Sequence, residues 1–354
     1  MSINVLVVDD SIVFRTKLNL SLNKDPELKV IGTATDVEDA LRKIRELKPD
    51  VVTLDIEMPN ANGFELLKKI MPTSPLPVVV VSSLPVNALD ALSLGAVDFV
   101  KKPEAGVTGS SEIFIEKLIE KIKIAAKANV RRVILPATLP SVGTVSAPAT
   151  QAAAPAARSL SFSSSTVIAI GASTGGTEAI IEVVKNLPTT TPPILIVQHM
   201  PATFTKLYAD RLNKICKMRV KEAEDLDRVV PGQIIVGAGG YQMTLKKDES
   251  GYYIRSVAGD KVSGHCPSVN VLFDSVAALA GRNALAVILT GMGSDGAMGI
   301  TRIRHAGGYT IGQDRETSVV YGMPMEAFKL GGVVKQLPLG SIAEDILSRL
   351  KNRI

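Results

Sequence analysis

IAIGASTGGTE, residues 168–178, joins an apolar, β-branched run to a helical one, and its reading decides the fold of the second half of the chain. TVIAI, residues 166–170, predicts a buried strand, and EAIIEVVKNL from Glu178 has the apolar spacing of a helix. Ser173 therefore falls on a strand-to-helix turn. Gly171, Gly175 and Gly176 let the backbone bend tightly, and the N–H groups that open the next helix can donate to a developing oxyanion. Gly171, Ser173 and Gly175 form the G-x-S-x-G frame of a nucleophile elbow. A glycine-rich turn of this kind also suits phosphate binding or simple turn closure, so the motif alone leaves three readings open.

Outward from this turn, strand and helix patterns alternate on both sides. Downstream come PILIVQHM, GQIIVGA, ALAVILTG, GYTIG and GVVKQLP, with YQMTLKK and GYYIRSV predicting an antiparallel hairpin around Asp248 to Ser250. Upstream, NVLVVDD, KVIGTA, DVVTLD, PVVVVSS and AVDFVKK alternate with segments such as VEDALRKIREL and close with SEIFIEKLIEKIKIAAK. Between the two sets, residues 133–157 hold no charged side chain and are dominated by Pro, Ala, Ser and Thr, a composition that cannot support a core and reads as a linker. The expected fold class is α/β, with two doubly wound parallel-sheet domains at residues 1–126 and 164–354 joined by a linker at 127–163.

Composition agrees with two cores and excludes several functions. The chain has 354 residues, of which 46% are hydrophobic and 21% charged. Its longest apolar runs (VVVV, ALAVIL, PILIV) fall far short of the roughly 20 residues of a membrane span, so no direct membrane insertion is expected. MSINVLVVDD enters a strand at once and leaves no room for a signal peptide, and a cytoplasmic protein is the expectation. Cys216 and Cys266 cannot make a disulfide framework, and with three histidines they offer no metal-ligand spacing. A net charge of +5, scattered among acids in a chain without tryptophan, argues against nucleic acid as a partner.

In the first half, carboxylates gather at strand ends. Asp9 and Asp10 end the first strand and Asp55 the third, and parallel strands deliver such ends to one crevice. Three acids there repel one another unless a divalent cation is bound, and oxygen ligands at a partly hydrated site suit Mg²⁺. Ser82 and Lys102 supply a hydroxyl and a cation at the same rim, which is what a carboxylate needs in order to accept a phosphoryl group. The competing reading is that these groups are solvated caps. At LDIEMPNANG, VSS and KKP the first half resembles the receiver domain of response regulators. That resemblance implies that Asp55 is the phosphoacceptor, that Asp9, Asp10 and the backbone carbonyl of Glu57 help to hold Mg²⁺, and that Ser82, Lys102 and Phe99 form the switch.

In the second half, Ser173 needs a base and an orienting acid. His199 ends ILIVQH and Asp295 lies in TGMGSDG after ALAVIL, so all three are expected at the carboxyl ends of neighbouring strands. His305 would restore the α/β-hydrolase order of serine, acid and histidine, but it falls near a helix C-terminus, where the dipole alone explains it. His265, in SGHCPSVN, is a loop residue and a candidate to line the site. A rival motif overlaps: Gly291, Gly293 and Gly296 spell G-x-G-x-x-G between a strand and a helix, with Asp314 ending the next strand, as in a dinucleotide site. Asp295 counts against it, since a carboxylate in that loop repels a pyrophosphate.

IGASTGG, QHMP and GMGSDG, behind a receiver-like half and a Pro/Ala linker, resemble the chemotaxis protein-glutamate methylesterase family along nearly the whole chain. The resemblance implies a phosphorylation-activated serine hydrolase that removes methyl groups from glutamate γ-methyl esters on chemoreceptor cytoplasmic helices and deamidates receptor glutamines. It implies a triad of Ser173, His199 and Asp295, an oxyanion donor at the Met292 N–H, and Thr174 beside the nucleophile. It also implies a chemotaxis histidine kinase as phosphodonor, and no cofactor for the ester hydrolysis. One departure is visible. The expected loop pattern is His-Arg-Pro-Ser-Val-Asp, whereas this chain has HCPSVN, and Cys266 and Asn270 remove two charges from an expected substrate-facing loop. The other functional class is a phosphorylation-switched binding module without turnover.

Overall fold

The computed structural model describes residues 2–58, 62–103, 109–130 and 165–351. The expected linker composition at 133–157 lies outside them. In chain order the first half runs β1 (Ile3–Val8), α1 (Ile12–Leu22), β2 (Leu28–Ala34), α2 (Val37–Leu47), β3 (Val51–Asp55), α3 (Gly63–Ile70), β4 (Val78–Ser82), α4 (Pro85–Ser93), β5 (Asp98–Lys101) and α5 (Ser110–Ala125). Its five strands form one parallel sheet in the order β2-β1-β3-β4-β5. VVTLD and VVVVS are buried along their whole length, as expected of strands with helices on both faces. Short polar side chains start the helices: Ser11 accepts from Phe14 N–H at 3.3 Å and Asp36 from Asp39 N–H at 2.9 Å.

The second half contains β6 (Val167–Ala172), α6 (Gly176–Val184), β7 (Ile194–Gln198), α7 (Ala202–Ile215), β8 (Arg219–Glu222), β9 (Gln233–Val236), β10 (Tyr241–Asp248), β11 (Gly251–Ala258), α8 (Val269–Ala280), β12 (Ala284–Ile288), α9 (Ala297–His305), β13 (Tyr309–Gln313), α10 (Met323–Lys329), β14 (Lys335–Leu337) and α11 (Leu339–Lys351). Seven strands make a second parallel sheet, β14-β13-β12-β6-β7-β9-β8, and β10 and β11 pair antiparallel as the separate hairpin. Among the described residues, the strand that periodicity does not reveal is β8, whose RVKE is a charged edge strand with a single buried side chain. The central neighbours β12, β6 and β7 place the three loops expected to carry the site side by side, ~4.8 Å apart per strand step.

The two halves touch through β5 and α4 of the first and α7 of the second. Phe99 on β5 stacks on Phe204 of α7, with ring centroids 4.2 Å apart. Arg211 of α7 donates to the Leu89 carbonyl of α4 at 2.6 Å, and Asn129 N–H donates to Val319 O at 2.8 Å.

Candidate active site

Ser173 follows β6 directly and is only 7% exposed. Its own N–H donates to Thr290 O at 3.0 Å, and its carbonyl accepts from Gly176 N–H and the Gln198 side chain, so the turn is held from both sides. Gly175 has φ of +76°, a conformation that favours glycine, and it turns the chain into α6. Gly291 is needed for space: a Cβ there would lie 2.7 Å from the Ser173 Cβ.

His199 N–H donates to Ala172 O at 3.1 Å, which fixes the histidine against the residue before Ser173. Its Nε2 lies 2.8 Å from Asp295 Oδ2, and its Nδ1 is buried with no hydrogen-bond partner among the described residues. Ionised Asp295 can only accept, so Nε2 carries the hydrogen and Nδ1 presents its lone pair. Asp295 also accepts from Ser268 Oγ at 2.8 Å and from the N–H groups of Val269 at 2.7 Å and Asn270 at 3.1 Å. These last two open α8, so the carboxylate sits at the positive end of a helix. Burial acts to raise its pKa, but the His199, Ser268 and Val269 hydrogen bonds hold it below the ordinary carboxylate value.

His265 stacks face to face on His199, with centroids 3.6 Å apart and planes inclined by 8°. Burial, and then the neighbouring imidazole, push its pKa down to about 4, so it is neutral near pH 7. Met292, 39% exposed, follows Gly291, whose N–H and carbonyl are bonded to Val320 and to Gly322 and Met323. Asn270 accepts from Gly299 N–H at 2.8 Å, tying α8 to α9. His305 ends α9, exposed and a helix length of ~13 Å from the loop that begins it. Asp295, in the middle of the G-x-G-x-x-G loop, and Asp314, which accepts from Thr317 N–H and Oγ1, are both engaged within the protein.

At the other crevice, one oxygen each of Asp9, Asp10 and Asp55 lie within 4.8 Å of one another, an acidic group that could hold a cation. Lys102 Nζ bonds Asp55 Oδ2 at 2.6 Å and Asp9 Oδ2 at 3.1 Å, and lies 4.9 Å from the Phe14 ring. Burial raises the Asp9 pKa, while for Lys102 the two carboxylates outweigh burial and raise it. Ser82 does not point at Asp55. Its hydroxyl is held by the Glu57 carboxylate at 2.6 Å.

Sequence reasoning missed a contact between the esterase turn and the start of β5. Thr174 Oγ1, beside Ser173, donates to Asp98 Oδ2 of β5 at 2.5 Å, and Lys121 Nζ holds the same oxygen at 2.7 Å. No local pattern joins residues 76 apart in two sheets.

Residues 168–346 match the family described as CheB methylesterase, and residues 5–108 match the response regulator receiver domain. The chain belongs to the CheB methylesterase family. A relative from Syntrophomonas wolfei, named protein-glutamate methylesterase/protein-glutamine glutaminase 2, is 48% identical over 99% of this chain and 98% of its own length. The protein-glutamate methylesterase/protein-glutamine glutaminase of Escherichia coli is 45% identical over 98% of this chain and 97% of its own. Among solved structures, the Thermotoga maritima CheB methylesterase catalytic domain is 37% identical, covers 52% of this chain and 98% of its own, and has a TM-score of 0.51. No helix among the described residues is long and apolar enough to cross a membrane.

Proposed function

We propose that the chain is a phosphorylation-controlled protein-glutamate methylesterase that releases methanol from glutamate γ-methyl esters on chemoreceptor cytoplasmic helices, and ammonia from receptor glutamines. The observation that carries this is the His199–Asp295 pair at 2.8 Å, with the Nδ1 of His199 buried beside the turn that bears Ser173 and unpartnered among the described residues.

In this mechanism His199 Nδ1 takes the Ser173 proton as Oγ attacks the ester carbonyl, and Asp295 stabilises the imidazolium through Nε2. The Met292 N–H receives the oxyanion, and methanol leaves with the proton from His199. Water, deprotonated by the same nitrogen, then hydrolyses the glutamyl-enzyme. Neutral His265 keeps the catalytic ring in plane without adding a second positive charge.

Asp55 is the phosphoacceptor, and the donor is a histidine kinase of the same cytoplasmic sensory system. The carboxylates of Asp9, Asp10 and Asp55, with the Glu57 carbonyl, would hold Mg²⁺, which when bound offsets charge on the transferring phosphoryl group. Lys102 orients the Asp55 carboxylate. In the unphosphorylated chain the receiver restrains the esterase through Thr174–Asp98, Phe99–Phe204 and Arg211–Leu89. The domain limits that go with this reading are 1–126 and 164–354. Methanol release from methylated receptor membranes tests it: the wild-type chain should release methanol and Ser173→Ala should not. Binding without release would instead indicate a phosphorylation-switched binding module.

A further inference from the structure

Glu57 lies two residues beyond Asp55, where the receiver reading uses only its backbone carbonyl. Its side chain is more heavily engaged. Oε1 accepts from Ser82 Oγ at 2.6 Å, from Leu84 N–H at 2.9 Å and from Asn87 Nδ2 at 3.4 Å, while Oε2 accepts from Ser83 N–H at 3.1 Å. The four donors run from the last residue of β4, Ser82, through Ser83 and Leu84 of the following loop to Asn87 in the first turn of α4. That helix has Leu84 as its N-cap, which makes no side-chain cap bond, and Pro85 next, which has no N–H. The carboxylate of Glu57 thus serves the unprotected positive end of α4. From α4 the connection runs onward, because the Leu89 carbonyl of the same helix accepts from Arg211 of the esterase half at 2.6 Å.

A phosphoryl group on Asp55 would change this arrangement in two ways. It adds about −1.5 to −2 charge and strong acceptor oxygens close to a carboxylate that is already ionised. It also needs the single Ser82 proton, which now faces Glu57 Oε1 at 2.6 Å and, less closely, Leu84 O at 3.0 Å. One hydroxyl cannot serve both. We propose that the Glu57 side chain is the latch of the unphosphorylated state, competing with the aspartyl phosphate for Ser82 while it caps α4 in the position that grips Arg211. When Ser82 turns to the phosphoryl group, α4 loses its cap and its hold on α7. This inference rests on Asp55 as phosphoacceptor and goes beyond that reading by giving the next carboxylate an opposing role.

The experiment uses full-length wild type, Glu57→Ala, Glu57→Gln and Ser82→Ala, titrated with BeF₃⁻ and Mg²⁺ as the phosphoryl mimic. The first readout is amide exchange of Ser83 and Leu84, which requires no turnover. Both amides should be protected in wild type and in Ser82→Ala, where Glu57 still accepts from them, exposed by BeF₃⁻ in wild type, and already exposed in Glu57→Ala. Glu57→Gln keeps an acceptor for Ser82 but not the charge, and should fall between. The second readout is methanol release: half-activation of Glu57→Ala should need about fivefold less BeF₃⁻, the scale of one ordinary hydrogen bond removed from the resting state, whereas Ser82→Ala should not be activated. Wild-type protection of Ser83 and Leu84 in Glu57→Ala, or a BeF₃⁻ requirement as high as that of wild type, overturns the latch. So does wild-type protection that BeF₃⁻ leaves unchanged. If no variant releases methanol while the exchange pattern holds, the esterase reading fails and the latch stands.

Discussion

Asp295 and Glu57 perform the same local task in the two halves of this protein with opposite consequences. Each is a carboxylate from one loop placed at the start of a helix whose own N-cap residue, Ser268 for α8 or Leu84 for α4, makes no side-chain cap bond. Each takes four hydrogen bonds. The difference lies in what competes for their partners. Among the described residues no second acceptor is bonded to the donors on Asp295, so it is pinned and can hold His199 in one tautomer. Ser82 has a second customer whenever Asp55 is phosphorylated, so the bonds on Glu57 are releasable. A cap with no rival is a scaffold, and a cap with a rival is a switch.

The comparison predicts opposite signs for removal of the two charges. Asp295→Asn should lower turnover by about 10⁴-fold, because an amide donor facing Nε2 favours the wrong tautomer and takes the lone pair from Nδ1. Ser173→Ala and His199→Ala should each abolish nearly all methanol release, since nucleophile and base act as a unit. Glu57→Ala should raise the rate of the unphosphorylated chain. Were both carboxylate variants to lose activity together, Glu57 would be a scaffold like Asp295 and the contrast would collapse.

A smaller effect is expected one step along the chain from Glu57. Arg211 touches neither crevice, yet it joins α7 to the Leu89 carbonyl of α4 and lies 3.6 Å from Asp90. Arg211→Ala should raise unphosphorylated methanol release about two- to tenfold, the net worth of one ordinary hydrogen bond, and leave the BeF₃⁻-activated rate as it is. An unchanged resting rate would mean that α4 does not transmit the restraint.

How much of this was legible before the fold was known follows from the range of each signal. Apolar periodicity and glycine turns are local, so both parallel sheets, the hairpin and the placement of Ser173, His199 and Asp295 after the neighbouring strands β6, β7 and β12 could be read from the chain. The edge strand β8 could not, because its charges erase the period. Which imidazole nitrogen faces Asp295 depends on backbone orientation after β7 and has no sequence signature. The Glu57 side chain was overlooked for a different reason: its carbonyl already had a role, and nothing local says where the carboxylate turns. The Thr174–Asp98 bond required the two halves to be brought together.

Acid stability sharpens the contrast from the fixed side. Asp295 has a pKa held below 3.8, so it contributes stability above that value, and the contribution is lost as pH falls through its lower folded value. His265 acts earlier. Between 6.5 and about 4 the unfolded chain binds a proton that the folded imidazole refuses, so stability declines as pH drops through that window. Urea melts from pH 7 to 4.5 should show this limb in the wild-type chain and a flatter one in His265→Gln, whatever the absolute stability of the variant. An identical slope would mean that His265 titrates normally and that its stack on His199 is loose.

The smallest effect concerns the thiols, and it asks whether the comparison is drawn between the right groups. Cys266 adjoins His265, which stacks on the proposed base, so it is the thiol closest to displacing Ser173 as nucleophile. Reactivity requires thiolate, and burial raises the Cys266 pKa above its ordinary value, the wrong direction for a nucleophile at neutral pH. Cys216, at the end of α7, is pushed up to about 11 by burial and is further still from reaction. Replacing both by serine should therefore change methanol release by no more than about twofold, the ordinary scale of a conservative change away from the chemistry. Alkylation of the wild-type chain with iodoacetamide gives the complementary reading. If a modified thiol abolished release while Ser173→Ala retained it, Asp295 and His199 would be serving a cysteine, and the pinned carboxylate would belong to a different reaction.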